Sequence, residues 1–351
     1  MKTLALAATV LFTATFAQAQ VQVPAAAPAP TGPAPTGLIV GSGNFFSPIV
    51  ADLDKALAFY RDGLGFDVQG APANADANVA LRNMFGLPDA QLRWSIGRPA
   101  GMRTGVEIVE ISKAGGRPVE RRLQDSGSFM LIVLVRDLDS IFVRLAQLGA
   151  PVVTKGGKPI AVPSGSRARA VVVKDPDGHF VELYQPDPLP AATVASAPNV
   201  IEVRVRLAVN DVDQATRLYA DQLGIATRTP GTFEGNPAVL DMMGLPAGAQ
   251  YRASVFTVPT TGLVFELIDF KGVDRRMVKS NLQDPGSTRI QLQVRDVDAA
   301  VAAVKAAGGS VQSTGGAPVE LPARGGTIKT AIVRDPDNLF LVLLQAAAPA
   351  R

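Results

Sequence analysis

The feature that most constrains the fold is an internal repeat, because motifs in the first half of the chain return about 159 residues later. At about 100–200 residues per domain, a chain of 351 residues has room for two copies. The repeat predicts one copy over residues 44–186, a second over 199–345, and a Pro-rich linker at 187–198. The matching segments are 59–65 with 218–224, 84–88 with 242–246, 123–128 with 282–287, and 174–177 with 334–337.

Each copy contains a smaller repeated module, which begins with an alternating strand and an Asp-hydrophobic-Asp helix start. An Asp at the start of a helix accepts hydrogen bonds from the exposed N–H groups and suits the positive end of the helix dipole. An amphipathic helix and a β-rich segment follow, so the module is predicted to be strand–helix–strand–strand–strand. The helix starts are at Asp52, Asp137, Asp211 and Asp296.

Two motifs carry a family resemblance: D-L-D-x-A within residues 52–66 and D-P-D-G-H-F-V-E-L at residues 175–183. They resemble the vicinal oxygen chelate superfamily, which includes glyoxalase I, bleomycin-resistance proteins and extradiol dioxygenases. The resemblance covers nearly all of residues 44–345. It implies an α+β fold in which four βαβββ modules form two tandem cup-shaped domains with the helices outside. We expect the two modules of each copy to share one cup.

The resemblance also places metal ligands on the first and last strands of each module. None of the four first-strand residues here is a usual ligand, while three of the four last-strand residues are Glu. We therefore expect no cofactor, with a weak divalent-metal site at Glu110 and Glu182 as the alternative. Glu107 competes with Glu110, because the strand at 105–112 fits two registers. The four first-strand positions are Phe45, Met130, Arg204 and Arg289, and the last-strand positions are Glu110, Glu182, Glu266 and Val342.

Composition narrows the chemistry further. The chain has no Cys and one His, which excludes disulfides, Cys-based metal sites and any centre that needs two imidazoles. The one histidine, His179, lies three residues before Glu182, so in a strand the two side chains point to opposite faces. We expect His179 to be a surface residue beside a turn. The net charge of +3 predicts no nucleic-acid partner.

Strand alternation predicts an apolar interior for the first cup and a polar interior for the second. The second interior would contain Arg204, Arg206, Glu266, Arg289 and Gln291. In one interpretation Arg204 and Arg289 bind an anionic ligand such as a carboxylate. In the other, one of these arginines neutralises Glu266 in an internal ion pair. Both interpretations remain open on the sequence.

The first residues predict export. Lys2 precedes an apolar run at 4–16, and Ala17-Gln18-Ala19 has the small-x-small pattern of a signal-peptidase site. This run is shorter than the ~20 residues that a membrane-spanning helix needs. We expect a signal peptide at 1–19, a Pro/Ala-rich linker at 20–43, a tail at 346–351 and a location in the bacterial periplasm.

Three functions are consistent with these features. The first is metal-independent binding of a small molecule by a protein with a degenerate metal site. The second is a metal-dependent lyase or dioxygenase-like enzyme that uses Glu110 and Glu182. The third is a structural or partner-binding role, in which the cups are filled by their own side chains. Catalytic residues, ligand identity and oligomeric state are left open.

Overall fold

The computed structural model describes residues 37–345 except 76–77, 164, 191–197, 228–229 and 324–325. The expected signal peptide at 1–19, the tail at 346–351 and most of the linker at 187–198 lie outside the described residues. No helix within the described ranges is long and apolar enough to cross a membrane.

Four modules follow one another along the chain. Module 1 contains β1 (Ile39–Ser42), β2 (Ser47–Val50), α1 (Leu53–Leu57) continued by a π-helical turn (Ala58–Gly63), β3 (Asp67–Val68), β4 (Ala73–Asn74), α2 (Val79–Phe85), β5 (Gln91–Arg98) and β6 (Val106–Ser112). Module 2 contains β7 (Phe129–Val135), α3 (Leu138–Gln147), β8 (Ile160–Ala161), β9 (Arg169–Lys174) and β10 (Phe180–Gln185). Module 3 contains β11 (Val200–Ala208), α4 (Val212–Thr216) continued by a π-helical turn (Arg217–Gln222), α5 (Pro237–Met242), β12 (Gln250–Thr257) and β13 (Val264–Lys271). Module 4 contains β14 (Thr288–Val294), α6 (Val297–Ala306), β15 (Ser310–Val311), a 3₁₀ turn (Thr314–Gly316), β16 (Val319–Ala323), β17 (Gly326–Arg334) and β18 (Phe340–Gln345).

The strands form two curled sheets, and the mixed α+β class with tandem cups is confirmed. One sheet joins modules 1 and 4 in the order β15-β17-β18-β14-β2-β6-β5-β3, and we call its concave side cup 1–4. The other joins modules 2 and 3 in the order β12-β13-β11-β7-β10-β9-β8 and forms cup 2–3.

The expectation that each copy makes its own cup is therefore wrong. The first strand of module 2, β7, pairs with β11 across the two copies, and β14 pairs with β2. Strand alternation identifies the buried face of each strand, but it carries no information about which distant strand lies alongside.

The predicted linker at 20–43 also ends earlier than expected. Ile39, Gly41 and Ser42 pair with β14 of module 4, so β1 is an edge of the larger sheet. Ile39 is fully buried, because its side chain joins the core between sheet and helices.

Helices α1, α3, α4 and α6 pack on the outer faces of the sheets and share one apolar core with them. At the start of the first helix in each module, a side chain from that module's last strand accepts a backbone hydrogen bond. The four bonds are Leu53 N to Glu110 Oε2 (2.9 Å), Leu138 N to Gln185 Oε1 (3.1 Å), Val212 N to Asp269 Oδ2 (3.0 Å) and Val297 N to Gln345 Oε1 (2.8 Å). These side chains satisfy N–H groups that a helix leaves unpaired at its start.

The two short helices α2 and α5 pack over the cups. Each is held by a hydrogen bond from the other module of its cup, module 4 for α2 and module 2 for α5. The Ser313 hydroxyl donates to the Met84 carbonyl at 2.7 Å, and Thr154 does the same to Met242 at 2.8 Å. Gly86 ends α2 with φ of 69°, and an added Cβ there would lie 2.0 Å from the Gln312 carbonyl oxygen. Only glycine permits this close approach.

Candidate functional site

Cup 1–4 encloses a cavity of about 100 Å³ between α2 and the sheet. A single water needs only ~10–15 Å³ on the same measure, so the cavity has room for a much larger molecule. Most of its walls are apolar, and the polar groups lie on β6, β14 and β18 and at Asn44 between β1 and β2. The lining residues are Asn44, Leu81, Met84, Phe85, Leu92, Trp94, Ile96, Glu107, Val109, Arg289, Gln291, Gln293, Leu321, Ile328, Val342, Leu344 and Gln345.

Arg289 is the cation in this cavity, and its side chain is 0% exposed. Its Nη2 donates to Glu107 Oε2 at 3.1 Å, and the guanidinium lies 4.5 Å from the centre of the Phe85 ring. Nε and Nη1 have no hydrogen-bond partner among the described residues. Burial lowers the pKa of Arg289, and the charge of Glu107 raises it in part. A buried guanidinium with two unpartnered nitrogens lacks oxygen acceptors that a ligand can supply.

Glu107 is the acidic residue that faces the cavity. Gln291 donates from Nε2 to Glu107 Oε2 at 2.8 Å, and its Oε1 accepts from Asn44 N at 3.0 Å. Glu110, three residues further along β6, points to the opposite face and binds the start of α1. The structure therefore selects the Glu107 register, and the expectation that Glu110 enters the first cup is wrong.

Cup 2–3 is filled by its own side chains. Arg206 donates to Glu182 at 2.8 Å and to Glu266 at 2.7 Å, and the cavity beside Arg206 is only about 10 Å³. Burial, opposed by Arg206 and reinforced by Glu266, raises the pKa of Glu182. Burial also acts to lower the pKa of Arg206, but the two carboxylates raise it above its ordinary value. Glu266 is in an internal ion pair, but its partner is Arg206 and not Arg204 or Arg289 as the sequence suggested.

The two arginines expected to share one cup lie in different cups. Arg204 is on the rim of cup 2–3, about one-third exposed, and donates to Glu202 at 2.8 Å. Arg289 and Gln291 line cup 1–4 instead. Strand β11 pairs with β7 rather than β14, which separates the first strands of the second copy.

The residues at the positions of the family's metal ligands do not fit a divalent ion. Cup 1–4 offers the Glu107 carboxylate, which is paired with a guanidinium, and the other last-strand position in this cup is Val342. Phe45 joins the helix-side core, because the break between β1 and β2 shifts the strand alternation by one residue. In cup 2–3 a guanidinium already lies between the two carboxylates. A cation and a metal ion compete for the same oxygens, and divalent ions prefer several carboxylate or imidazole ligands. The proposed alternative pair, Glu110 and Glu182, is also split between an outer face and cup 2–3.

His179 is buried, so the expectation of a surface residue is wrong. Its Nδ1 lies 2.8 Å from Asp175 Oδ2, and its Nε2 lies 3.0 Å from the Ser287 carbonyl oxygen. Tyr60 donates to the same Asp175 oxygen at 2.9 Å, which ties together modules 1, 2 and 4. Burial alone would lower the pKa of His179, but Asp175 raises it above the ordinary value. Both ring nitrogens face oxygen acceptors, an arrangement that favours the protonated imidazole.

The second copy lacks this imidazole, because Leu339 occupies the equivalent position. Tyr219 still donates to Asp335 at 2.8 Å. Burial, together with Asp337, raises the pKa of Asp335 to about 7. In the first copy burial likewise acts to raise the pKa of Asp175, but His179 lowers it below its ordinary value.

Phe85 and Trp94 are among the cavity residues that the sequence does not identify as site residues. Phe85 lies in the Met-rich segment before Gly-Leu-Pro, and this segment was the available signal for a cover over the cup. Trp94 carries no such signal, since its strand is alternating and either face could have been buried.

Comparisons with known proteins agree with this fold. A family model described as the Glyoxalase/Bleomycin resistance protein/Dioxygenase superfamily matches residues 44–183 and 202–343. Glyoxalase I from Zea mays is similar in structure, with a TM-score of 0.54 and 18% identity over 86% of this chain and 92% of that one. A mutant of the same enzyme gives a TM-score of 0.56 and 18% identity over 87% and 94%. A search of curated proteins finds no match to the sequence.

Proposed function

The chain belongs to the Glyoxalase/Bleomycin resistance protein/Dioxygenase superfamily, and from this premise we propose that it binds a small molecule in cup 1–4 without a metal ion. The superfamily binds small-molecule substrates or ligands, so a cup with an open cavity is the place to expect one. The observation that carries the proposal is Arg289, fully buried in an apolar cavity with two nitrogens that lack acceptors. Leaving such donors unpaired costs roughly 1–3 kcal/mol each, which a bound oxygen acceptor would recover.

Metal independence is supported by the charges at the former ligand positions. A divalent ion bound to Glu107 would lie beside the Arg289 guanidinium, which is 3.1 Å from the same carboxylate. Two positive charges that close, in a cavity with apolar walls, repel each other strongly. In cup 2–3 an ion would have to displace Arg206 from Glu182 and Glu266.

Fragment binding to purified protein tests this proposal. We would measure melting temperature with benzamide, acetophenone and benzoate at millimolar concentrations, with and without EDTA. A ligand that binds only the folded chain raises the melting temperature by mass action. We expect at least one fragment to raise it, equally in both conditions. Loss of the effect with EDTA, or no effect from any fragment, would overturn the proposal.

The matched variants are Arg289→Met and Arg204→Met. Each replaces an arginine on the first strand of a module in the second copy, but only Arg289 lines the open cavity. We expect Arg289→Met to abolish the fragment effect and Arg204→Met to preserve it. The reverse result would move the site to cup 2–3.

We also propose that the protein is exported to the periplasm, on the strength of the charged, apolar and small-residue layout of residues 1–19. Expression in a Gram-negative host followed by amino-terminal sequencing tests this. Mature protein that begins at Gln20 in the periplasmic fraction is expected. Cytoplasmic protein that retains Met1 would refute export.

A further inference from the structure

We propose that the ligand of cup 1–4 carries a neutral group with an adjacent carbonyl and N–H, such as an amide, and that Glu107 imposes this choice. The inference rests on the proposed function, since it describes the ligand of that same cavity. It differs from the sequence expectation of an anionic ligand, which assumed two arginines in one cup.

The first step is the charge balance of the cavity. Of the side chains that line it in the described structure, Glu107 and Arg289 are the charged ones, and they form an ion pair. A ligand carboxylate placed against Arg289 would also lie close to Glu107. In an apolar cavity two negative charges at such separation are strongly unfavourable, whereas a neutral oxygen acceptor carries no such penalty.

The second step is the hydrogen-bonding pattern. Nε and Nη1 of Arg289 have no acceptor among the described residues, so a ligand oxygen that accepts their hydrogen bonds would be favoured there. Both hydrogen bonds to Glu107 reach Oε2, from Arg289 and Gln291, and Oε1 receives none from the described residues. A carboxylate oxygen accepts and never donates, so the ligand should offer an N–H or O–H to it. An amide supplies both groups at one end of the molecule.

The third step concerns the rest of the ligand. The walls of the cavity include the apolar side chains of Phe85, Leu92, Trp94 and Val109. Phe85 already stacks on the guanidinium, so a flat ring beside it extends a stack that exists in the structure. The structure therefore favours a ring that bears an amide over an aliphatic chain that bears an acid.

Benzamide and benzoate form a matched test pair, because they share ring and shape and differ in charge. We would measure both dissociation constants by ligand-observed NMR titration. Wild-type protein should bind benzamide at least about tenfold more tightly than benzoate. Glu107→Gln keeps the size and the acceptor oxygen but removes the negative charge, so benzoate should gain at least about tenfold.

Glu266→Gln is the control variant, since Glu266 holds the equivalent position of the other copy but lies in the filled cup. It should leave the preference for benzamide unchanged. If wild-type protein prefers benzoate, or if Glu107→Gln does not change the preference, this inference is overturned while the proposed binding function stands. If neither compound binds and acetophenone also fails, both proposals are overturned.

Discussion

The substitution Asp335→Asn should stabilise the protein at neutral and alkaline pH and leave it unchanged near pH 4. Asp335 is buried at the turn between β17 and β18, and burial together with Asp337 raises its pKa to about 7. Between about pH 4 and pH 7 the folded chain retains a proton that the unfolded chain has released. Stability therefore falls as pH rises through this window and levels off above it.

The size of the effect follows from the shift. Against an ordinary value of 3.8, a pKa of about 7 corresponds to roughly three units, or about 4 kcal/mol at 1.36 kcal/mol per unit. Asparagine cannot ionise, but its side-chain oxygen can still accept from the Leu339 N–H and its NH₂ group can donate to the Tyr219 hydroxyl. The gain in unfolding free energy should grow from near zero at about pH 4 to about 4 kcal/mol at about pH 8.

Urea unfolding of wild type and variant across this pH range measures the difference. The fluorescence of Trp94 follows unfolding of the sheet whose β17–β18 turn contains Asp335, since β5, β17 and β18 belong to the same sheet. Asp175→Asn is the control, because His179 lowers the pKa of Asp175 and its charge stabilises the folded state at neutral pH. This variant should lose stability at neutral pH. A constant difference between wild type and Asp335→Asn from pH 4 to pH 8 would refute the reasoning.

Three further substitutions have distinct expected outcomes. His179→Leu should destabilise the protein most below about pH 6.5, where the imidazolium is fully present, and less as the pH rises through the raised pKa of His179. Urea denaturation at several pH values checks this, and a loss of stability that does not depend on pH would contradict it. Arg206→Met leaves two buried carboxylates without their cation and should cost about 3–5 kcal/mol in urea unfolding, while a loss below ~1 kcal/mol would contradict the ion-pair assignment. Gly86→Ala forces a Cβ against the Gln312 carbonyl at a positive φ, so it should lower the melting temperature. A displaced α2 would expose Trp94 in the cavity, so acrylamide quenching of its fluorescence should increase. Unchanged quenching would contradict this expectation.

Features that depend only on residues close together in the chain could be predicted from the sequence. Asp52 and its three counterparts begin helices as predicted, because a capping carboxylate needs only its own next residues. Strand alternation assigns Arg206 and Gln291 to a concave face, and in the structure each lies on one, although in different cups.

The predictions that were wrong concern residues whose contacts come from distant parts of the chain or whose strand has a break in its register. Whether Arg204 lies near Arg289 depends on which first strands pair, and pairing between strands far apart in the chain leaves no local signal. Phe45 follows a break in its strand, and Glu110 belongs to a helix start that lies 57 residues earlier in the chain. His179 lies beside a turn, and it is covered by Ser287 from module 4 and Phe46 from module 1.

The pairing of modules 1 with 4 and 2 with 3 gives the duplication an unusual consequence. Each copy supplies half of both cups, as the two subunits of a symmetric homodimer would, so the chain has the organisation of a dimer whose subunits have been fused. Once both halves are encoded in one gene, matching positions such as Glu107 and Glu266 can change separately. In a homodimer any substitution would alter both cups together. In this chain one cup can keep a cavity while the other is filled by ion pairs that stabilise the fold.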